Sequence, residues 1–225
     1  MRQVDSVAGC TATVVLITPQ EIYCANAGDS RTVMCENGMT VELSYDHKPE
    51  LPSERMRIEK AGGEVVEGRV NGMLALSRAI GDFDYKPVTP PKDAQPAWFL
   101  NNHMVTAYPD VIVRPFTKDC EFMVLACDGI WDCKTSNEVV QYFKKVLPLK
   151  GQSLKELHQP NHDLLEEICP NTFEEMRMNE GLGSDNMTII IVDFLNHQGG
   201  ANGKPSKRVN TIAPNSLRQI NGKSQ

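Results

Sequence analysis

Two apolar segments of this chain each adjoin an aspartate, and this pattern limits the fold more than any other feature. Residues 122–127 run directly into Asp128-Gly129, and residues 187–194 follow Asp185-Asn186. Apolar runs of this length predict buried strands. A carboxylate at the rim of a core is costly unless a cation or a hydrogen-bond donor meets it. The pattern therefore predicts a sheet with a metal site at one end of its strands.

The composition is that of one globular domain with a tail. The 225 residues, 40% of them hydrophobic, suffice for one core. No apolar stretch approaches the ~20 residues that a membrane helix needs, and the first residues lack the apolar segment of a secretory signal. Seven cysteines show no zinc-ligand spacing. They predict free thiols in a reducing compartment, the cytoplasm or the nucleus.

Charge divides the chain unevenly. The net charge is −6, but residues 196–225 carry five basic and no acidic side chains, which leaves −11 on residues 1–195. We expect one globular domain over residues 1–195 and a disordered, basic, polar tail over 196–225. The acidic body excludes sequence-independent nucleic-acid binding, which needs a basic surface.

Local patterns predict many strands and few helices. Short, partly β-branched segments separated by turn residues indicate a meander over residues 11–43, with a hairpin turn at Asn37-Gly38. Pro52 opens a first helix. Thr135 and Glu138 have the spacing of a capping box, and the residues behind them carry apolar side chains at helical intervals. This order predicts an α+β sandwich rather than a parallel βαβ array.

Two further segments are less regular. Residues 85–103 are rich in proline and predict an irregular surface loop beside the site. Residues 161–179 are divided by Pro170 and predict two short helices or a helix and a loop.

Four aspartates are candidate metal ligands. Asp128 and Asp132 flank a glycine-containing turn after the first apolar segment, Asp185 precedes the second, and Asp29 occupies a Gly-Asp turn between two predicted strands. Oxygen ligands select hard cations, Mg²⁺ or Mn²⁺, over zinc. Each motif alone is more often structural than metal-binding, so their occurrence together carries the prediction.

Eight motifs occur in the order found in one enzyme family. They are Gly9-Cys10-Thr11-Ala12, Ala27-Gly28-Asp29-Ser30-Arg31, Asp46-His47-Lys48-Pro49, Ala61-Gly62-Gly63, Arg69-Val70-Asn71-Gly72, residues 74–82 (LALSRAIGD), residues 126–132 (ACDGIWD) and residues 184–188 (SDNMT). Over residues 9–194 the chain resembles the metal-dependent protein serine/threonine phosphatases of type 2C, the PPM-type phosphatases.

The resemblance implies a fold and a reaction. The fold is two antiparallel sheets packed face to face with helices outside (αββα), here expected to lack the N-terminal strands. The reaction is hydrolysis of phosphoserine and phosphothreonine by water that two divalent ions, Mg²⁺ or Mn²⁺, activate in each complete site. No nucleophilic side chain is needed. The expected partners are phosphoprotein substrates, without nucleic acid or membrane, and the expected state is a monomer.

The resemblance also assigns the residues. Asp128 and Asp185 match ligands of the metal centre, and Asp29, with Asp128, matches positions of a more weakly held third metal. Asp132 lies beside them. No catalytic residue beyond these metal ligands is predicted in this chain, and His47 is interpreted as part of a fixed turn.

The beginning of the chain departs from the family. Only eight residues precede Gly9, and no Asp-Gly-His sequence occurs, although in the family this motif supplies the aspartate that bridges both ions and a histidine proposed as general acid. The chain is therefore expected to be an N-terminally incomplete phosphatase. An alternative is a truncated, inactive chain that acts as a binding or regulatory module. Another is a cysteine-dependent phosphatase built on Cys24 and Arg31, whose six intervening residues exceed the five that such a loop needs.

Overall fold

The computed structural model describes residues 8–86, 92–147, 185–194 and 208–212. Its strands are β1 (Gly9–Cys10), β2 (Ala12–Ile17), β3 (Glu21–Ala27), β4 (Arg31–Glu36), β5 (Met39–Glu42), β6 (Val65–Val66), β7 (Arg69–Val70), β8 (Ile80–Gly81), β9 (Asp110–Pro115), β10 (Cys120–Ala126), β11 (Ile189–Asp193) and β12 (Arg208–Ile212). Its helices are α1 (Pro52–Lys60), α2 (Pro96–Asn102), α3 (Asp128–Trp131) and α4 (Ser136–Val146), with one 3₁₀ turn at Phe83–Tyr85.

The larger sheet has five strands in the order β12-β11-β10-β4-β5, and every pairing is antiparallel. β10 lies at its centre because the side chains on both of its faces are apolar and buried, as the run from Phe122 to Ala126 requires. Asn37 and Gly38 both have positive φ and form the tight turn between β4 and β5, which confirms the predicted hairpin.

The smaller sheet, β2-β3-β9, packs on one face of the larger one. Alternation of side chains along β3 places Ile22 and Cys24 in the core between the sheets, where they meet Met34 of β4 and Met123 of β10. The outward side chains of the smaller sheet include four apolar residues that are 45–61% exposed. These residues, named here the open face, are Val14, Leu16, Val111 and Val113.

Helix α4 covers the opposite face of the larger sheet. Val139, Val140 and Phe143 recur at helical spacing and are buried against that face together with Trp131. The capping box predicted at Thr135 and Glu138 is present, since each side chain bonds the backbone N–H of the other. The described layers are therefore sheet, sheet and helix, and the α+β sandwich of two antiparallel sheets is confirmed.

A small lobe beside the sandwich contains α1 and the β6-β7 hairpin. Ile58, Val70, Ala79 and Val105 form its separate apolar cluster. Gly62 and Gly63 follow the last turn of α1, and Gly62 has a φ of +86°, the left-handed conformation in which glycine commonly ends a helix.

Two segments differ from the sequence-based expectation. Within the predicted irregular loop 85–103, residues 96–102 form α2, because Pro96 at the first helical position is preorganised for a helix. Within the predicted tail, residues 208–212 form β12 and pair along β11, as three β-branched residues in five favour. The domain boundary at residue 195 stays a prediction, and the expected break at Pro170 lies outside the described residues.

Among the described residues, no helix has both the length and the apolar character needed to cross a lipid bilayer.

Candidate metal centre

Three neighbouring strands of the larger sheet, β4, β10 and β11, have termini aligned at one end of the sheet. Arg31 at the start of β4 pairs with Ala126 at the end of β10, and Ala126 pairs with Ile189 at the start of β11. Asp29, Asp128 and Asp185 each lie two to four residues beyond this row. The antiparallel register therefore brings together acids that are far apart in sequence.

The loops that carry Asp128 and Asp185 contact each other directly. The backbone N–H of Cys127 donates to the Thr188 carbonyl (3.1 Å), and the Cys127 thiol donates to the Asn186 carbonyl (3.1 Å). Gly129 faces the same carbonyl so closely that a Cβ atom there would lie 2.5 Å from it. Glycine at position 129 thus permits the two aspartate loops to approach.

The carboxylates influence one another electrostatically. The pKa of Asp128 is raised, first by burial and then by the negative charges of Asp29, Asp185 and Asp132. Repulsion of this kind indicates that the four acids lie near one another at this end of the sheet, although Asp132 and Asp185 are exposed. A cation placed among them would relieve the repulsion, so the charge pattern fits a site for a hard divalent ion.

Asp29 gives the strongest sign that a cation fits. Its residue is 3% exposed, and the Lys48 ammonium donates to Oδ2 at 2.6 Å. The other oxygen, Oδ1, is buried, and no donor in the described part of the chain meets it. A buried carboxylate oxygen without a partner is costly, and a bound cation would satisfy it.

Asp132 and Lys48 are the remaining charged residues near this end of the sheet. Asp132 is exposed, its pKa is raised by partial burial and by the charges of Asp29 and Asp185, and Lys48 opposes this rise. Across the described ranges, no three side chains of the His, Cys, Asp or Glu types converge closely enough to hold a metal ion as a ready-made group.

Several residues that support the site were not assigned from sequence. Arg31 forms a bidentate ion pair with Asp46 (2.8 Å to each oxygen) and lies 5.2 Å from the centre of the Trp131 ring, so it ties β4 to its surroundings. Lys48 neutralises Asp29. His47 is buried, with 3% exposure, and bonds Gly28 and Asp110. Their motifs were visible, but one sequence gives no pairing between residues 15 to 63 positions apart.

The cysteine alternative has little physical support. Cys24 is 1% exposed in the core between the sheets, and burial raises the pKa of its thiol above the ordinary value. A cysteine nucleophile needs a lowered pKa and access to substrate.

Comparison with known proteins gives consistent matches. A family model described as Protein phosphatase 2C matches residues 1–185. Protein phosphatase 2C homolog 3 of Schizosaccharomyces pombe is 48% identical over 188 residues, which are 84% of this chain and 42% of that protein. Protein phosphatase 2C homolog 2 of the same yeast is 47% identical over 85% of this chain and 48% of its own length. The chain thus spans less than half the length of these two curated relatives.

Solved phosphatase structures are also similar to this chain. A phosphatase from a pathogenic strain of Toxoplasma gondii has a TM-score of 0.55 and 28% identity, with 85% of this chain and 52% of that chain covered. A serine-threonine phosphatase 2C from Toxoplasma gondii has a TM-score of 0.58 over 80% of this chain and 57% of its own. At 23% identity, the second similarity concerns the fold alone.

Proposed function

The chain belongs to the protein phosphatase 2C family, and from this premise we propose that its aspartate-lined strand edge serves the metal-dependent hydrolysis of phosphoserine and phosphothreonine in proteins. The observation that carries the proposal is the gathering of Asp29, Asp128 and Asp185 at one end of three neighbouring strands. The buried, unsatisfied Oδ1 of Asp29 supports a cation there.

We assign the ligands as the family pattern implies. Asp128 and Asp185 hold the ion of the main centre, Mg²⁺ or Mn²⁺, Asp29 with Asp128 holds a weaker third ion, and Asp132 lies next to them. Such ions supply Lewis acidity and lower the pKa of bound water. The protein contributes the fixed positions of the carboxylates, because the register of β4, β10 and β11 sets where each loop leaves the sheet.

The proposal extends to partners and compartment. Phosphoproteins are the substrates, and the chain acts as a monomer. The cytoplasm or the nucleus is the proposed location, which the six free cysteines of the described residues support. Fractionation of cells that express the tagged chain, with antibody detection, tests the compartment.

A second candidate is a binding or regulatory module without turnover. It is supported by the finding that, among the described residues, no three His, Cys, Asp or Glu side chains lie close enough to hold a metal ion. Such a module would bind phosphoproteins without releasing phosphate.

One experiment separates the two. Phosphate release from a phosphothreonine peptide is measured with 1–10 mM Mn²⁺, on the order of what weak carboxylate sites need, with and without chelator, for the wild-type chain, Asp128→Asn and Asp119→Asn. Asp119 is an exposed aspartate in the turn before β10. Release that requires metal, falls at least a hundredfold in Asp128→Asn and persists in Asp119→Asn supports the phosphatase.

Calorimetric titration of the same variants with Mn²⁺ and with the peptide completes the comparison. A wild-type chain that binds the peptide but releases no phosphate at any Mn²⁺ concentration contradicts the enzyme proposal and favours the module.

A further inference from the structure

We propose that His47 is a positioning residue for Asp29: its imidazole holds the Gly28 peptide and thereby fixes the metal-facing carboxylate. The inference rests on the proposed function, in which Asp29 is a metal ligand. In the described part of the chain, the imidazole of His47 bonds the residue before Asp29 and, on its other side, Asp110, and none of the four candidate metal ligands.

The orientation of the Gly28 peptide depends on contacts with other residues. Gly28 has a φ of +115°, a conformation that only glycine adopts without strain, and a Cβ atom there would lie 2.3 Å from the Thr11 side chain. Gly28 itself therefore has no side chain with which to bind its surroundings, although Ser30 in the same turn bonds the Thr11 hydroxyl at 2.7 Å. The Gly28 peptide is held through hydrogen bonds to its backbone groups.

His47 supplies bonds to both backbone groups of Gly28. The His47 backbone N–H donates to the Gly28 carbonyl (3.1 Å), which also accepts from Asn26 Nδ2 (3.0 Å). The His47 Nδ1 atom lies 3.1 Å from both the nitrogen and the carbonyl oxygen of Gly28. Because the two lone pairs of that oxygen are already occupied, we assign Nδ1 as the acceptor for the Gly28 N–H. Nε2–H then donates to Asp110 Oδ2 at 3.1 Å, which fixes the tautomer.

An ionic chain, buried at Glu54, Arg57 and Arg78 and ending at the 63% exposed Asp110, meets the ring. Arg78 donates to Asp110 Oδ1 (2.7 Å) and to Glu54 Oε1 (2.7 Å), and Glu54 also accepts from Arg57 (2.6 Å). The Ser77 N–H donates to the His47 carbonyl (3.0 Å). Because the side chains of Glu54, Arg57 and Arg78 are at most 7% exposed, the chain has few alternative arrangements.

The consequence concerns the direction of the Asp29 carboxylate. Lys48 binds Oδ2, so a backbone fixed at Gly28 leaves Oδ1 at one defined place, buried and without a donor among the described residues. If the Gly28 peptide could rotate, that oxygen would sample several directions. Groups that orient a ligand in this way affect metal affinity by about 10- to 100-fold.

Two substitutions separate the functions of the two ring nitrogens. In His47→Asn, the amide oxygen occupies the place of Nδ1 and keeps an acceptor for Gly28. In His47→Gln, the longer amide reaches the place of Nε2, keeps the donor to Asp110 and loses that acceptor. Mn²⁺ binding is measured by calorimetry and amide hydrogen exchange by NMR, with Lys118→Gln, an exposed position far along the chain, as control.

We expect the weak Mn²⁺ site to lose about tenfold in affinity in His47→Gln and less than about threefold in His47→Asn. In metal-free protein, the Gly28 and Asp29 amides should exchange at least about tenfold faster in His47→Gln alone. The affinity loss should vanish when His47→Gln is combined with Asp29→Asn, because the histidine acts through that aspartate.

Other outcomes contradict the inference. Equal binding and exchange in His47→Gln and wild type, equal losses in both His47 variants, or a loss that persists beside Asp29→Asn all overturn it while leaving the metal centre intact. A wild-type chain that takes up no Mn²⁺ overturns the proposed function, and the inference falls with it. If His47→Gln does not fold, Asp110→Ala, at a side chain 63% exposed, decides: wild-type affinity there contradicts the inference.

Discussion

Glu54 is the most deeply buried acid among the described residues, with 1% exposure. Burial alone would raise its pKa, but hydrogen bonds from Arg78 and Ser77 and the charge of Arg57 hold the pKa at about 2, below the ordinary 4.5. A carboxyl with a lowered pKa stabilises the fold above pH 4.5, and this contribution is lost as the pH falls from 4.5 towards 2.

We therefore expect Glu54→Gln to lower the free energy of unfolding by about 3 kcal/mol at pH 7, with the difference shrinking as the pH falls below 4.5. Urea unfolding between pH 2.5 and 7 measures it. Glu59→Gln, on the exposed side of the same helix, should change stability by less than about 0.5 kcal/mol. A constant difference between wild type and Glu54→Gln across this range would refute the assigned pKa.

At the residue scale, sequence reasoning located the acids but not their partners. Asp29, Asp128 and Asp185 were predictable as candidates because each lies in a tight turn or at the end of an apolar strand. A charge placed there is costly unless a cation or a hydrogen-bond donor meets it. The contacts of Lys48, His47 and Glu54 were not predictable, since they join residues 19 to 63 positions apart and depend on strand register and helix orientation.

The start of helix α4 was predictable from the sequence because the residues that cap it are close together in the chain. Thr135 Oγ1 accepts the Glu138 N–H at 3.2 Å, and Glu138 Oε2 accepts the Thr135 N–H at 2.8 Å. Thr135→Ala removes one acceptor for the first turn, whose N–H groups have no partner within the helix.

We expect Thr135→Ala to destabilise the chain by about 1 kcal/mol, whereas Thr135→Ser keeps the hydroxyl and should lose a few tenths at most. The midpoint of urea unfolding, followed by circular dichroism, is the measurement. Equal midpoints for the alanine and serine variants would show that the cap carries no stability.

Two other elements were harder to predict from the sequence because contacts with distant residues stabilise them. Residues 96–102 follow a proline-rich segment that indicates a loop, but Pro96 itself starts a helix that contacts α1. β12 forms from a basic, polar region because β11 offers a partner, a contact that the composition of residues 196–225 does not reveal.

At the scale of the whole molecule, the described residues include an exposed apolar surface, the open face of the smaller sheet. Val14 and Val111 flank Ala25 of β3, and Leu16 and Val113 flank Tyr23, so the exposed apolar side chains form a continuous patch. Contiguous apolar patches on soluble proteins promote association.

The proposed functional state is a monomer, so any association through this patch would be non-specific and confined to high protein concentration. We expect Leu16→Lys to reduce such association and to change the free energy of unfolding by less than about 0.5 kcal/mol, since Leu16 is 61% exposed. Val15→Lys is the matched control: Val15 points into the core between the sheets, so its replacement should cost several kcal/mol. Light scattering and urea unfolding measure both. Unchanged scattering in Leu16→Lys would show that the patch does not drive association.

The aspartates at the shared end of β4, β10 and β11 are synthesised at different times, so the site is assembled in stages. A ribosome that adds about 5 to 20 residues per second needs roughly 10 to 30 seconds to pass from residue 29 to residue 185. β4 and β10 can pair during that interval, but β11 cannot, so Asp128 joins the Lys48-paired Asp29 at this end of the sheet before the third acid arrives. The nascent chain therefore completes the proposed ion site late, after most of the larger sheet exists.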